Sequence, residues 1–162
     1  MNKTHVFVDN IEKLTLDNTN YRDVLFTSPS NRTQLVVMSL QPSQEIGMER
    51  HEGADQFIRV EKGNGIAIIG NEYGDVKPLS PSDQTTYNLS DGSVIVVPAN
   101  TWHNIVNTSV TDLMKLYTLY SPPQHKDKLI EPTKPVQDGG NYNLKKYAKY
   151  KIKYLSLKDR KL

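Results

Sequence analysis

Gly92-Ser93-Val94-Ile95-Val96-Val97-Pro98-Ala99-Asn100-Thr101-Trp102-His103-Asn104-Ile105-Val106-Asn107 is the stretch whose reading decides the fold. Asp91-Gly92 is a turn dipeptide, and the β-branched run Val94-Ile95-Val96-Val97 reads as a short strand. Pro98-Ala99-Asn100 interrupts it, because proline cannot donate to a sheet ladder. A second strand then runs on through Asn107. Side chains alternate along a strand, so His103, Ile105 and Asn107 share one face. A histidine on such a face is either a hydrogen-bonded core residue or a ligand.

The same rhythm extends outward. Short runs rich in Val, Ile and Tyr recur at residues 5–8, 24–26, 35–40, 56–60, 65–69, 104–106 and 113–120. Turn residues separate them at Ser28-Pro29-Ser30-Asn31, Gln41-Pro42-Ser43, Lys62-Gly63-Asn64-Gly65 and Ser121-Pro122-Pro123. No long segment before residue 120 keeps a 3.6-residue apolar period. The pattern predicts an all-β sandwich or barrel. Residues 71–90 are polar and read as a long hairpin excursion. Residues 121–140 carry Pro122, Pro123, Pro132, Pro135, Gly139 and Gly140, and read as an extended linker that wraps the body or leaves it. In residues 141–155 tyrosine and lysine interleave, and periodicity does not choose between helix and strand. The predicted organisation is an N-terminal strand extension (1–30), a barrel (31–122), and a Pro/Gly linker with a basic Tyr/Lys-rich tail (123–162).

With 162 residues the chain suits one domain with a sizeable core. It has no cysteine, which excludes disulfides and thiolate metal sites. It shows neither a signal-peptide pattern at Met1–Asn10 nor an apolar run long enough to span a bilayer. The expectation is a cytoplasmic protein with no membrane partner. The formal net charge of +2 hides an asymmetry. Residues 141–162 hold eight of the 20 Lys and Arg residues and one of the 18 acids, leaving 12 against 17 in residues 1–140. The tail, not the body, makes the chain basic, which argues against a globally basic nucleic-acid-binding domain.

A second block, Gly47-Met48-Glu49-Arg50-His51-Glu52-Gly53-Ala54-Asp55-Gln56-Phe57-Ile58-Arg59-Val60-Glu61-Lys62-Gly63, supplies partners for His103. Glu49 and His51 are two apart and project together. Gln56 has the opposite parity, which a turn or bulge at Glu52-Gly53-Ala54 corrects. Asp55 is the competing candidate, and points the other way in a regular strand. Pairing the two blocks would gather Glu49, His51, Gln56 and His103 at one point. Two imidazoles, a carboxylate and an amide oxygen suit a divalent Fe, Mn, Co, Ni, Cu or Zn ion with positions left open. The alternative is that both histidines are hydrogen-bonded core residues. Gly63, Gly92 and Pro98 read as structural, Trp102 as a packing residue, Asn107 as a partner for backbone groups, and His125 as solvated or structural.

The two blocks resemble the two motifs of the cupin superfamily. The first motif has His-x-His, three or four residues, Glu, six residues and Gly. Glu49 stands at the first His, His51 at the second, Gln56 at the Glu and Gly63 at the Gly. The second has Gly, five residues, Pro-x-Gly, two residues, His, three residues and Asn. Gly92, Pro98, His103 and Asn107 match it, with Asn100 at the second Gly. Strand by strand the likeness covers residues 35–120. It extends to small single-domain cupins labelled as resembling mannose-6-phosphate isomerase, through Asp55-Gln56-Phe57-Ile58-Arg59 and Ser121-Pro122-Pro123. The resemblance implies a double-stranded β-helix, or jelly-roll, barrel with a basic C-terminal extension. It also implies a divalent metal (Zn, Mn, Fe or Ni) on Glu49, His51, Gln56 and His103.

Two functions follow from these readings. One is a metal-dependent enzyme, of isomerase or dioxygenase type, on a small polar or phosphorylated substrate. No residue outside the ligand set stands out as its base. The other is a non-catalytic binding or assembly module whose basic tail contacts an anionic protein or nucleic acid. A homodimer that covers exposed sheet edges is expected in either case.

Overall fold

The computed structural model describes residues 6–73 and 77–135 of the chain. The basic tail lies outside the described residues. Among the described residues the β-rich pattern forms nine strands: β1 (Arg22–Thr27), β2 (Gln34–Leu40), β3 (Asp55–Lys62), β4 (Gly65–Tyr73), β5 (Gln84–Leu89), β6 (Val94–Val97), β7 (Thr101–Asn107), β8 (Met114–Ser121) and β9 (Ile130–Glu131). They form a six-stranded sheet in the order β6-β3-β8-β2-β1-β9 and a three-stranded sheet in the order β5-β4-β7. Every pairing is antiparallel. The two sheets face each other as the expected jelly roll.

Alternation fills the space between them. Val24, Val36, Met38, Ile58, Val60, Ala67, Ile105, Leu116 and Tyr120 belong to one buried apolar cluster. Across the large sheet, Gln34 pairs with Tyr120 and Tyr120 with Gln56, so three polar side chains lie in one row. That row crowns the apolar core and forms the floor of the site described below. Asn107, wholly buried, donates from Nδ2 to the carbonyls of Leu40, Gln41 and Asp112. It accepts from the Ser109 amide, so it serves backbone groups as expected.

Two elements differ from the sequence expectation, and the linker takes the first of its two expected courses. Residues 6–8 are not in a strand, and helix α1 (Ile11–Asp17) follows them. The Asn10 side chain caps that helix by accepting from the Lys13 amide. Only Thr15 of α1 is buried, and seven residues are too few to show a helical period. The polar stretch 71–90 contains β5, an edge strand paired to β4. The linker past residue 121 wraps the body: β9 pairs with β1, and the Tyr21 and Val24 amides donate to the carbonyls of Pro132 and Leu129. Among the described residues no helix is long and apolar enough to cross a membrane.

The β3–β4 hairpin needs glycine for close packing. A Cβ on Gly65 would sit 2.3 Å from the Val106 carbonyl oxygen and 3.1 Å from Met114 Sδ. Gly53 has φ +69 but open space around it. Gly65→Ala is therefore expected to lower the unfolding free energy by roughly 3 kcal/mol, from backbone displacement. Gly53→Ala should cost only about 1 kcal/mol, from its left-handed backbone. Urea denaturation of both variants checks the contrast, and equal losses would mean that the hairpin relaxes freely.

Candidate metal centre

The two sequence blocks meet through their backbones. The Glu49 amide donates to the His103 carbonyl and the His103 amide to the Glu49 carbonyl, both at 2.9 Å. Such a reciprocal pair places opposite side chains on the same face. His51, two residues on, is tied to the other end of the second block: the Asn100 amide donates to its carbonyl at 2.9 Å. Asn100 has φ 63, and asparagine is a residue that tolerates the left-handed region where glycine is usual. The turn through Glu52 and Gly53 then carries the chain from the edge of the small sheet into β3 of the large one. Gln56 enters the barrel from the opposite wall, which resolves its parity. It is only 1% exposed. Asp55 points away and accepts from the Ala99 amide at 2.8 Å, so of the two it is Gln56 that joins the cluster.

One ligand atom from each of Glu49, His51 and His103 lies within 4.8 Å of the others. Glu49 Oε1 is 3.4 Å from His51 Nε2 and 3.7 Å from His103 Nε2. His103 Nε2 is 2.8 Å from Gln56 Oε1, while Gln56 Nε2 donates to Thr118 Oγ1 at 3.1 Å. His103 Nδ1 lies 2.8 Å from the Thr101 carbonyl oxygen, which can only accept. Gln56 Oε1 likewise can only accept, so each ring nitrogen faces an acceptor; with Nδ1–H kept on Thr101, Nε2 is the atom that a cation at the cluster would take. His51 Nε2 is buried and has no hydrogen-bond partner. Burial pushes the Glu49 carboxyl up, but the His103 and His51 imidazoles outweigh it and hold it down to about 2. An ionised carboxylate, two imidazole nitrogens and an amide oxygen thus converge on one point. That donor set could hold a divalent cation, and a backbone carbonyl fixing the tautomer is the usual support for a histidine ligand.

The surroundings include residues that the sequence did not mark. The Tyr120 ring stands edge-on to His51 at 5.3 Å and to His125 at 5.0 Å, both between centroids. His125 comes from the wrapping segment, held by Gln34. Gln34 Oε1 accepts from the His125 amide at 3.0 Å, and Gln34 Nε2 donates to the His125 carbonyl at 2.8 Å. Alternation along β8 could have flagged Tyr120, but nothing local to the sequence flags His125. Trp102 packs as expected, with the Arg50 guanidinium and the Lys77 ammonium each 5.6 Å from its ring centroid. A separate groove of about 490 Å³ opens between β5 and β6. It abuts the cluster through Val97 and Ile69, the neighbours of Gln56 and His103, but none of the four cluster residues lines it.

Comparison with known proteins agrees with this architecture. The family model of the cupin domain matches residues 36–120. An uncharacterized protein of Acanthamoeba polyphaga mimivirus is 43% identical over 98% of this chain and 94% of its own length. The uncharacterized protein YrkC of Bacillus subtilis is 40% identical over 79% of this chain and 63% of its own length. The crystal structure of the Bacillus halodurans protein BH2720 superimposes with a TM-score of 0.71 at 35% identity, covering 82% of this chain and 93% of that one.

His125 carries a pH signature. Burial, then the charge of Arg22, lowers its pKa from 6.5 to about 4. Between those values the unfolded chain binds a proton that the folded chain refuses, so stability rises with pH. Metal-free protein should be fully stabilised by this residue above pH 6.5 and lose that contribution as the pH falls to about 4. Urea midpoints at pH 7.5, 6 and 5 should fall progressively, and His125→Gln should flatten the decline. An equal slope in the variant would assign the effect elsewhere.

Proposed function

Because the chain belongs to the cupin domain family, we propose that Glu49, His51, Gln56 and His103 hold a divalent metal and that the protein is a metal-dependent enzyme acting on a small polar or phosphorylated molecule. The observation that carries this reading is the convergence of Glu49, His51 and His103 within 4.8 Å, at the polar end of the barrel core. Two imidazoles and one carboxylate are the facial donor set associated with non-haem Fe(II), and they also serve Zn, Mn and Ni. Bound there, the metal supplies Lewis acidity toward a carbonyl, hydroxyl or phosphoryl oxygen, or a site for dioxygen.

The chain's own residues supply the setting. The Thr101 carbonyl orients His103, and Thr118 fixes the Gln56 amide with its oxygen toward the cluster. The wholly buried Tyr120 walls off water on one side. Glu49, with 27% of its side chain exposed, marks the side from which a substrate approaches. Isomerase-type and dioxygenase-type reactions both fit this arrangement, and the metal divides them. Iron favours oxygen chemistry, whereas zinc or manganese favours polarisation of a carbonyl or hydroxyl.

Untagged protein should carry Zn, Mn, Fe or Ni at about one equivalent per chain, held by two imidazoles, a carboxylate and an amide. His51→Ala and His103→Ala should lose it. Gln56→Ala should keep it with affinity lower by roughly tenfold, the neutral amide being the weakest of the four donors. Elemental analysis reads each result, and wild-type protein that neither carries nor takes up any of these metals would refute the site.

A further inference from the structure

Among the described residues five buried side-chain polar atoms have no hydrogen-bond partner: Arg22 Nε, Ser39 Oγ, His51 Nε2, Thr101 Oγ1 and His125 Nε2. The two histidines flank one ring, that of Tyr120, and Arg22 lies within electrostatic reach of His125, as do Glu49 and His51. His51 Nε2 belongs to the donor set above, but Arg22 Nε and His125 Nε2 do not.

Arg22 is 9% exposed and pairs in register with the wholly buried Met38, so β1 turns it into the barrel. Its Nη1 binds Glu131 Oε2 at 2.5 Å, and its guanidinium lies 5.2 Å from the Tyr21 ring centroid. These contacts lock the guanidinium plane and leave Nε–H, which can only donate, without an acceptor. Gln34 locks His125 in the same way through its backbone, leaving the ring nitrogen bare. Two immobilised nitrogens beside a donor cluster are what a bound oxygen ligand would satisfy; folding alone gives them nothing.

We propose that Arg22 and His125 anchor the ligand of this site, and that they take a carboxylate group of a small organic acid whose other polar end faces Glu49, His51 and His103. The second half of that statement rests on the metal reading; the anchoring pair does not. A carboxylate is planar and matches the edge of a guanidinium. Its single charge suits an arginine already half neutralised by Glu131. A doubly charged phosphate would meet repulsion from Glu45, Glu49 and Glu131, the three carboxylates that act on neighbouring Tyr21.

The test uses full-length protein freed of metal by a chelator and reloaded with Co(II), whose stoichiometry is counted first. Malonate, inorganic phosphate and ethylene glycol are then titrated calorimetrically into the loaded and the metal-free protein. Malonate should bind the loaded protein, with phosphate and glycol weaker by about tenfold or more. Arg22→Gln should weaken malonate at least about tenfold while Co(II) stoichiometry stays unchanged. Should that variant not fold, His125→Asn gives the same reading. Undiminished malonate affinity in the folded variants overturns the proposal, and so does equal or tighter binding of glycol or phosphate. Failure of Co(II) to bind removes the metal reading alone: malonate binding to metal-free protein that depends on Arg22 would then sustain the anchor, and its absence would overturn that too.

Discussion

The reciprocal backbone pair between Glu49 and His103 is the constraint on which the rest of the site depends. Four donors on two distant segments converge only if those segments are held in register. A slip of one residue would turn His103 out of the barrel. The register is secured on both sides: the Ile46 amide donates to the Ile105 carbonyl and the Asn107 amide to the Gln44 carbonyl, while Asn100 bonds the His51 carbonyl. The segment 44–51 is thus an edge strand in function, though only Glu45 and Glu49 count as bridges to β7.

Much of this was legible in the sequence, and the reason is burial. The runs that became β2, β3, β4, β7 and β8 are largely buried, so a run of apolar, often β-branched residues is written into them. β5, Gln-Thr-Thr-Tyr-Asn-Leu, is mostly exposed and carries no apolar stripe, so it read as loop. Helix α1 depends on an asparagine cap and tertiary packing over a length too short for a period. At the site, Glu49, His51 and His103 were readable because spacing on paired strands converts to proximity. Gln56 was readable through the turn expected at Glu52-Gly53-Ala54, though not the change of sheet which that turn makes. His125 was not readable. Its place is set by a glutamine 91 residues away.

Gln34 is therefore more than a core residue. It sits in the polar row with Tyr120 and Gln56 and spends its amide on the backbone at Gln124 and His125. The same segment continues into β9 and to Lys134, whose ammonium donates to the Glu45 carbonyl at 2.7 Å. Glu45 lies on the edge segment that carries Glu49. The wrapping chain thus joins the free edge of the large sheet to the free edge of the small one, and Glu131 within it fixes Arg22. A jelly roll leaves a gap between such edges. Here the gap is closed by residues 122–135, which bring polar groups to the side of the cluster.

The two departures from the cupin ligand pattern then read as one change. A carboxylate is lost where Gln56 stands and gained where Glu49 stands, so the charge offered to a cation is conserved and only its location moves. The position of Gln56 is 1% exposed, whereas the Glu49 side chain is 27% exposed. An ionised carboxylate at the inner position would bear nearly the full cost of desolvation whenever no cation balanced it. At the outer position water and two imidazoles share that burden, and the Glu49 carboxyl stays ionised down to about 2. Moving the charge outward also leaves it within electrostatic reach of His125 in the wrapping segment.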